Sequence, residues 1–202
     1  MKRLKVGITG GIGSGKTTVC KIFETLGIPV YYADDRAKAL MVEDGKLIAA
    51  IKNIFGEEAY LPDESLDRKH IADIAFHNPL KLKELNAIVH PAVLEDGNRW
   101  HAQQKDAPYT IKEAALIFES DSYKNLDKII TVFAPQNVRL ERVILRGGNL
   151  SKEDIEARMA KQLPEEEKMK RANFIIYNDG EQALIPQVMK IHQLLCSEQG
   201  VK

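Results

Sequence analysis

Residues 10–17, GGIGSGKT, constrain the fold of this chain more than any other stretch. Gly10, four residues and then Gly15-Lys16-Thr17 satisfy the pattern G-x-x-x-x-G-K-[ST]. Before the loop, Leu4, Val6 and Ile8 are apolar at every second position, which predicts a strand. After it, Val19, Ile22, Phe23 and Leu26 recur at helical spacing, and Gly27 and Pro29 end that helix. Glycines let the backbone N–H groups turn inward around a phosphate, and the helix that follows brings its positive end to the same spot. Lys16 can then reach the β- and γ-phosphates, and the Thr17 hydroxyl can ligate Mg2+. The G-x-G-x-x-G spacing of a dinucleotide site does not occur. The loop therefore predicts a bound nucleoside triphosphate.

Four further strands are expected: Ile28 to Tyr32, Tyr109 to Phe118, Lys128 to Phe133 and Asn173 to Tyr177. The stretch from about 35 to 104 reads as mostly helical, with apolar stripes at Leu47–Phe55, Ile71–Ala75 and Leu82–Val89. The last of these stripes is expected to stop at His90-Pro91. Val138 to Arg146 reads as a helix. Ser151 with Asp154 opens a long charged helix, and Gln182 to Leu195 reads as the last one. Strands alternating with helices imply an α/β fold with a mainly parallel sheet.

Three classes of triphosphate protein share such a loop: switch GTPases, motors or ATPases, and small-molecule kinases. The guanine-reading tetrapeptide N-K-x-D is absent, and 202 residues is short for a motor. A kinase needs an acid near the acceptor and mobile arginines. The second strand runs into Ala33-Asp34-Asp35, beyond the strand's carboxyl end, where ligands of parallel sheets sit. A carboxylate there can take or orient a hydroxyl proton, and it can equally cap a helix; with two in a row, one can cap and one can act. AALIFE at 114–119 reads as a strand ending in Glu119, an acid that can support the Mg2+ shell, cap a backbone or pair with an arginine. Arg139, Arg142 and Arg146 share one helical face before Gly147-Gly148, a hinge sequence, so Arg142 and Arg146 are candidate phosphate contacts. Asn178-Asp179-Gly180 is turn chemistry after the last strand, placed where it can border the nucleotide base.

Lys+Arg and Asp+Glu both number 29, so the formal net charge is +0, against a general nucleic-acid or membrane-surface binder. Cys20 and Cys196 have neither metal nor disulfide spacing and read as reduced thiols in helices. The apolar start breaks at Lys5 and Gly7, too early for a signal peptide, and no stretch reaches the length of a membrane span, so a cytoplasmic protein is expected.

Nearly the whole chain resembles the dephospho-coenzyme A kinase family. The resemblance rests on GITGGIGSGKTT at 7–18, Ala33-Asp34, Phe55-Gly56, Leu66-Asp67-Arg68 and Leu85-Asn86 followed by His90-Pro91. It continues through LIFE at 116–119, Arg142 with Arg146, Gln162, and Ala172-Asn173-Phe174 to Gly180. It implies ATP-dependent phosphorylation of the ribose 3′-hydroxyl of dephospho-CoA, with Mg2+. It implies a P-loop kinase fold with a five-stranded parallel sheet ordered 2-3-1-4-5. The expected regions are a nucleotide core (1–30, 106–138, 173–202), a helical acceptor region (31–105) and a lid (139–172). Asp34, Lys16 and Arg142 are then the catalytic candidates. ATP contacts are expected at Gly11, Ile12, Gly13, Ser14, Gly15, Lys16, Thr17, Thr18, Arg142, Arg146 and Asn178, and acceptor contacts at Asp34, His90, Leu116 and Glu119. Thr17 is the expected metal ligand. The expected partners are ATP and dephospho-CoA, without nucleic acid or membrane, in a monomer or weak homo-oligomer. The chain departs from the family at Tyr32, where a first acid is usual, at Ala115, where a proline is usual, and at Gly147-Gly148-Asn149, which replace a more charged turn. The alternatives are a kinase for another small acceptor, such as a nucleoside monophosphate, and a non-catalytic nucleotide-gated binding protein.

Overall fold

The structure is a computed structural model that describes residues 3–147 and 151–200, with the backbone alone at Phe76. Gly148 of the expected hinge, and Asn149 of the turn that departs from the family, lie outside the described residues. Five strands, β1 (Leu4–Thr9), β2 (Val30–Tyr32), β3 (Tyr109–Glu113), β4 (Lys128–Phe133) and β5 (Phe174–Tyr177), form one sheet in the order β2-β3-β1-β4-β5. Every pairing is parallel, which matches the expected topology. Parallel strands covered on both faces must be apolar throughout. Val6, Ile8, Ile111, Ile130, Val132 and Ile176 are accordingly all at 0% exposure. α1 (Lys16–Thr25) and α9 (Leu184–Glu198) pack on this sheet through Val19, Phe23, Val188 and Leu195. Truncating a fully buried aromatic such as Phe23 costs about 3–5 kcal/mol.

The chain divides into two compact units, Met1–Tyr32 with His101–Lys202, and Ala33–Trp100. In the larger unit β1 lies centrally, between β3 and β4. Its carboxyl end is thus the crevice where open α/β sheets take ligands, and the glycine loop leaves from that end. The smaller unit is helical: α2 (Ala33–Glu43), α3 (Gly45–Phe55), α4 (Arg68–His77) and most of α5 (Pro79–Gln103). Arg36 donates to both oxygens of Asp96 through Nε and Nη2, at 3.1 and 3.3 Å, which fastens α2 to α5.

Four expectations are corrected. β3 ends at Glu113, five residues before Phe118. The Ala114 N–H makes the last ladder bond, to Ile8 O, and β1 itself ends at Thr9. Beyond it the chain turns, and Ile117 packs under Gly7 instead of along the sheet. β2 starts at Val30, because the Ile28 N–H is turned back to Phe23 O. α5 does not stop at His90-Pro91: it runs through Pro91, and Val89 and Val93, both buried one turn apart, carry the apolar face past the missing N–H. The charged helix after Ser151 is two helices, α7 (Lys152–Ala160) and α8 (Glu165–Arg171), because Pro164 disfavours helical backbone at Leu163. The start of α7 is as expected, with Ser151 and Asp154 capping each other.

Candidate active site

The glycine loop spans the gap between β1 and α1. Gly15 takes φ 93°, a left-handed conformation, and a Cβ there would collide with the Asn178 amide. Gly13 takes φ 82°, and its missing Cβ leaves room for the backbone carbonyl of Arg139. Only glycine satisfies both the angle and the close approach. α1 then begins at Lys16 with no acidic residue in its first turn, so its positive end is left for an anion. Lys16 is buried and donates to Gly10 O at 2.8 Å and Gly11 O at 3.4 Å. Thr17 and Thr18 are exposed on the first turn.

Other loop groups are committed inside the protein. The Ser14 N–H donates to Gly11 O at 3.0 Å. Its hydroxyl is fully buried without a hydrogen-bond partner among the described residues. Ile12 N–H donates to Gln162 Oε1 at 2.9 Å, and Gly11 N–H to Glu165 Oε2 at 3.3 Å. Asn178 Nδ2 donates to Ser14 O at 2.8 Å.

Beside the loop lies a cleft of about 390 Å³ lined by Gly15, Thr18, Arg142, Leu145, Arg146, Asn178 and Leu184. Arg142, on α6 (Gln136–Leu145), donates to Asn178 O at 2.9 Å. A planar guanidinium, two leucines and an amide edge suit a flat heteroaromatic base next to phosphates. Six expected nucleotide contacts thus gather in one place: Gly15, Lys16 and Thr18 on the loop and first turn, and Arg142, Arg146 and Asn178 around the cleft. Asp179 accepts from the N–H groups of Glu181 and Gln182, which makes 178–182 the turn that its composition predicts and holds the Asp179 carboxyl below its ordinary range.

Arg139 departs from the stripe. It is buried, donates through Nε to Ala134 O at 3.1 Å and lies against Gly11. The α6 helix turns that face inward, onto the loop, so Arg139 supports the glycines instead of meeting solvent. Sequence reasoning missed its neighbours: Glu165, 8% exposed, and Lys168, at 0%, are paired at 3.0 Å. Their i,i+3 spacing looks like ordinary surface charge, and only the packing of α8 under the loop reveals the burial.

The acceptor-side candidates are distributed. Asp34 is the second residue of α2, straight after β2, and is exposed. Asp35 pairs with Lys38 at 2.7 Å, whereas Asp34 makes no ion pair among the described residues. His90 is exposed on α5. Leu116, 46% exposed, sits in the turn after β3. Glu119 accepts from Leu163 N–H at 2.7 Å, so one of its oxygens caps a backbone group. At the base of α1, burial first and then the nearby Glu113 carboxylate push the Cys20 thiol far up, and it stays protonated and inert. Both cysteines are free, and no helix of the described residues is long and apolar enough to cross a membrane.

Comparison with known proteins agrees with this geometry. A family model described as Dephospho-CoA kinase matches residues 4–183. A Dephospho-CoA kinase of Chlorobaculum tepidum is 41% identical over 199 residues, covering 95% of this chain and 95% of the relative. The crystal structure of TT1252 from Thermus thermophilus superposes with a TM-score of 0.83 at 34% identity, covering 96% of this chain and 98% of that one. A Dephospho-CoA kinase from Campylobacter jejuni superposes at 0.72 with 28% identity, covering 98% and 99%. With a nucleotide loop, a parallel five-stranded sheet and relatives matching over nearly its full length, the chain belongs to the dephospho-CoA kinase family.

Proposed function

We propose that this protein transfers the γ-phosphoryl group of ATP to the ribose 3′-hydroxyl of dephospho-CoA, releasing ADP and CoA in the final step of CoA biosynthesis. The observation that supports this reading is the grouping of Lys16 and the open end of α1 beside the Arg142–Asn178 cleft, in a chain of this family.

The base lies in the cleft and the triphosphate runs across the start of α1. Lys16 leaves its carbonyl partners for the β- and γ-phosphates. Arg142 and Arg146 neutralise the charge that spreads over the equatorial oxygens as the phosphoryl moves. Asp34 accepts the proton of the acceptor hydroxyl, whose oxygen bonds to the γ-phosphorus as the bond to the β–γ bridging oxygen breaks. Asp34 suits this better than Asp35, which Lys38 already holds. His90, Leu116 and Glu119 contact the acceptor.

The donor set also fits Mg2+. Thr17 offers one exposed hydroxyl on the first turn of α1, and no group of three or more His, Cys, Asp or Glu is arranged for a metal among the described residues. Thr17 would hold the cation through that hydroxyl, the kind of hard oxygen donor that Mg2+ takes. When bound there, it would supply positive charge that polarises the phosphates. The zero net charge supports small-molecule partners over nucleic acid or membrane, and free thiols suit the cytoplasm. A monomer or weak homo-oligomer completes the reading.

Coupled ADP release, measured with dephospho-CoA, with AMP and with no acceptor, tests the proposal. Turnover with dephospho-CoA alone is expected. Turnover with AMP instead makes it a nucleotide kinase, and none with either acceptor overturns the kinase reading.

A further inference from the structure

The front of the phosphate loop is held from outside. Two consecutive backbone donors, Gly11 N–H and Ile12 N–H, go to side chains at the start of α8 and in the turn before it: Glu165 Oε2 at 3.3 Å and Gln162 Oε1 at 2.9 Å. That turn is itself anchored. The Leu163 N–H, between the two, donates to Glu119 Oε1 at 2.7 Å. The second oxygen of Glu165 pairs with Lys168 Nζ at 3.0 Å, and Thr131 Oγ1 on β4 donates to Lys168 O at 3.4 Å. Residues 162–168 are thus tied to the loop on one side and to the sheet on the other.

A phosphate loop works by aiming its N–H groups at an anion. The groups of residues 11 and 12 are aimed away from it, at two fixed acceptors. The donors left for the anion lie further along, at the rear of the loop and at the first three residues of α1, whose N–H groups have no partners within the helix. Pinning the front of the loop keeps those rear donors aligned before the nucleotide arrives, and alignment in advance is what lowers the cost of binding.

We infer that Gln162 and Glu165 are positioning residues for nucleotide binding, forming a latch that fastens the α7–α8 turn to Gly11 and Ile12. This rests on the proposed reading that the loop holds ATP. It goes beyond that reading by making nucleotide affinity depend on two side chains that need not touch the nucleotide.

The test combines amide hydrogen exchange at Gly11 and Ile12, ADP binding in the presence of magnesium, and steady-state kinetics. Gln162→Met keeps the length and removes the acceptor. Exchange at Ile12 is expected to quicken about 10-fold, and the ADP Kd and the KM for ATP to rise by about the same factor, with kcat and the acceptor KM little changed. Gln162→Glu, which restores an acceptor oxygen, is expected to restore Ile12 protection; a merely structural role would not give that rescue. The double variant Glu165→Leu with Lys168→Met removes the buried pair as a unit, and exchange at Gly11 is expected to quicken in the same way. Tight ADP binding with unchanged Ile12 exchange in Gln162→Met overturns the latch alone. Absence of ADP binding in the unaltered protein overturns the donor-site reading, and exchange at Ile12 and Gly11 still decides whether the latch exists.

Discussion

The side-chain amide of Asn178 donates to the backbone carbonyl of Ser14 at 2.8 Å, which joins the end of β5 to the phosphate loop. Arg142 adds a second tie through Asn178 O at 2.9 Å. One asparagine therefore holds the loop and steadies the arginine that borders the same cleft. Asn178→Ala is expected to raise the KM for ATP on the order of 10-fold, through the lost bond to Ser14 O and the lost contact of Asn178 Oδ1 with Arg142 Nη2 at 3.5 Å, while the bond of Arg142 to the backbone carbonyl remains. The KM for the acceptor should stay put. An unchanged KM for ATP would remove Asn178 from the nucleotide site.

Gly15→Ala attacks the same junction from the other side. A left-handed backbone costs a side chain roughly 1–2 kcal/mol, and the new methyl displaces the Asn178 amide, worth about another 1 kcal/mol. Calorimetry should show ADP affinity falling on the order of 10²-fold in a folded protein. Wild-type affinity would contradict the close approach of Gly15 and Asn178.

For Asp34→Asn, which keeps the shape and removes the base, kcat should fall on the order of 10²-fold or more while ADP binding is retained. Near-normal kcat would show that another group takes the proton. Lys16→Ala tests the donor side independently and should abolish turnover.

Ser14→Ala should stabilise the protein. The hydroxyl is buried with no partner among the described residues, and burying an unsatisfied polar group costs about 1–3 kcal/mol. Removing it should raise Tm by a few degrees, at roughly 2–4 °C per kcal/mol for a chain of this size. A drop in Tm would reveal a partner for the hydroxyl.

Stability should also respond to pH through His192. Tyr109 OH lies 2.7 Å from His192 Nδ1, and Cys196 Sγ lies 3.6 Å from Nε2. Burial lowers the imidazole from its ordinary value of 6.5, so the unfolded chain binds the proton more readily than the folded one. Stability is therefore complete above the unfolded value and declines as the pH falls through 6.5 toward the depressed folded value. His192→Gln should flatten that part of a Tm–pH profile, and an unchanged profile would assign the dependence to other groups.

Much of the proposed donor site was legible in the chain. GGIGSGKT imposes its own backbone, because the glycine positions, the lysine and the helix start lie within eight adjacent residues. The roles of Arg139 and Glu165 were not legible. Arg139 shares a helical stripe with Arg142 and Arg146, yet it is buried against Gly11 while Arg146 is exposed. Periodicity gives the face of a helix but not what packs on each part of it. Likewise, Pro91 reads as a helix stop, and the burial of Val89 and Val93 overrides it.

The sequence by itself determined the phosphate loop, the alternation of strands and helices, the Ser151 cap and the family, since each rests on residues close in the chain or on an ordered set of short motifs. Tertiary structure alone decided where β3 ends, which arginine turns inward, and that Gln162, Glu165 and Asn178 hold the loop from more than a hundred residues away. The reason is physical: local patterns set which conformations a segment can adopt, while the partner of a buried N–H or charge is chosen by whichever distant segment the packing brings within 3 Å or so.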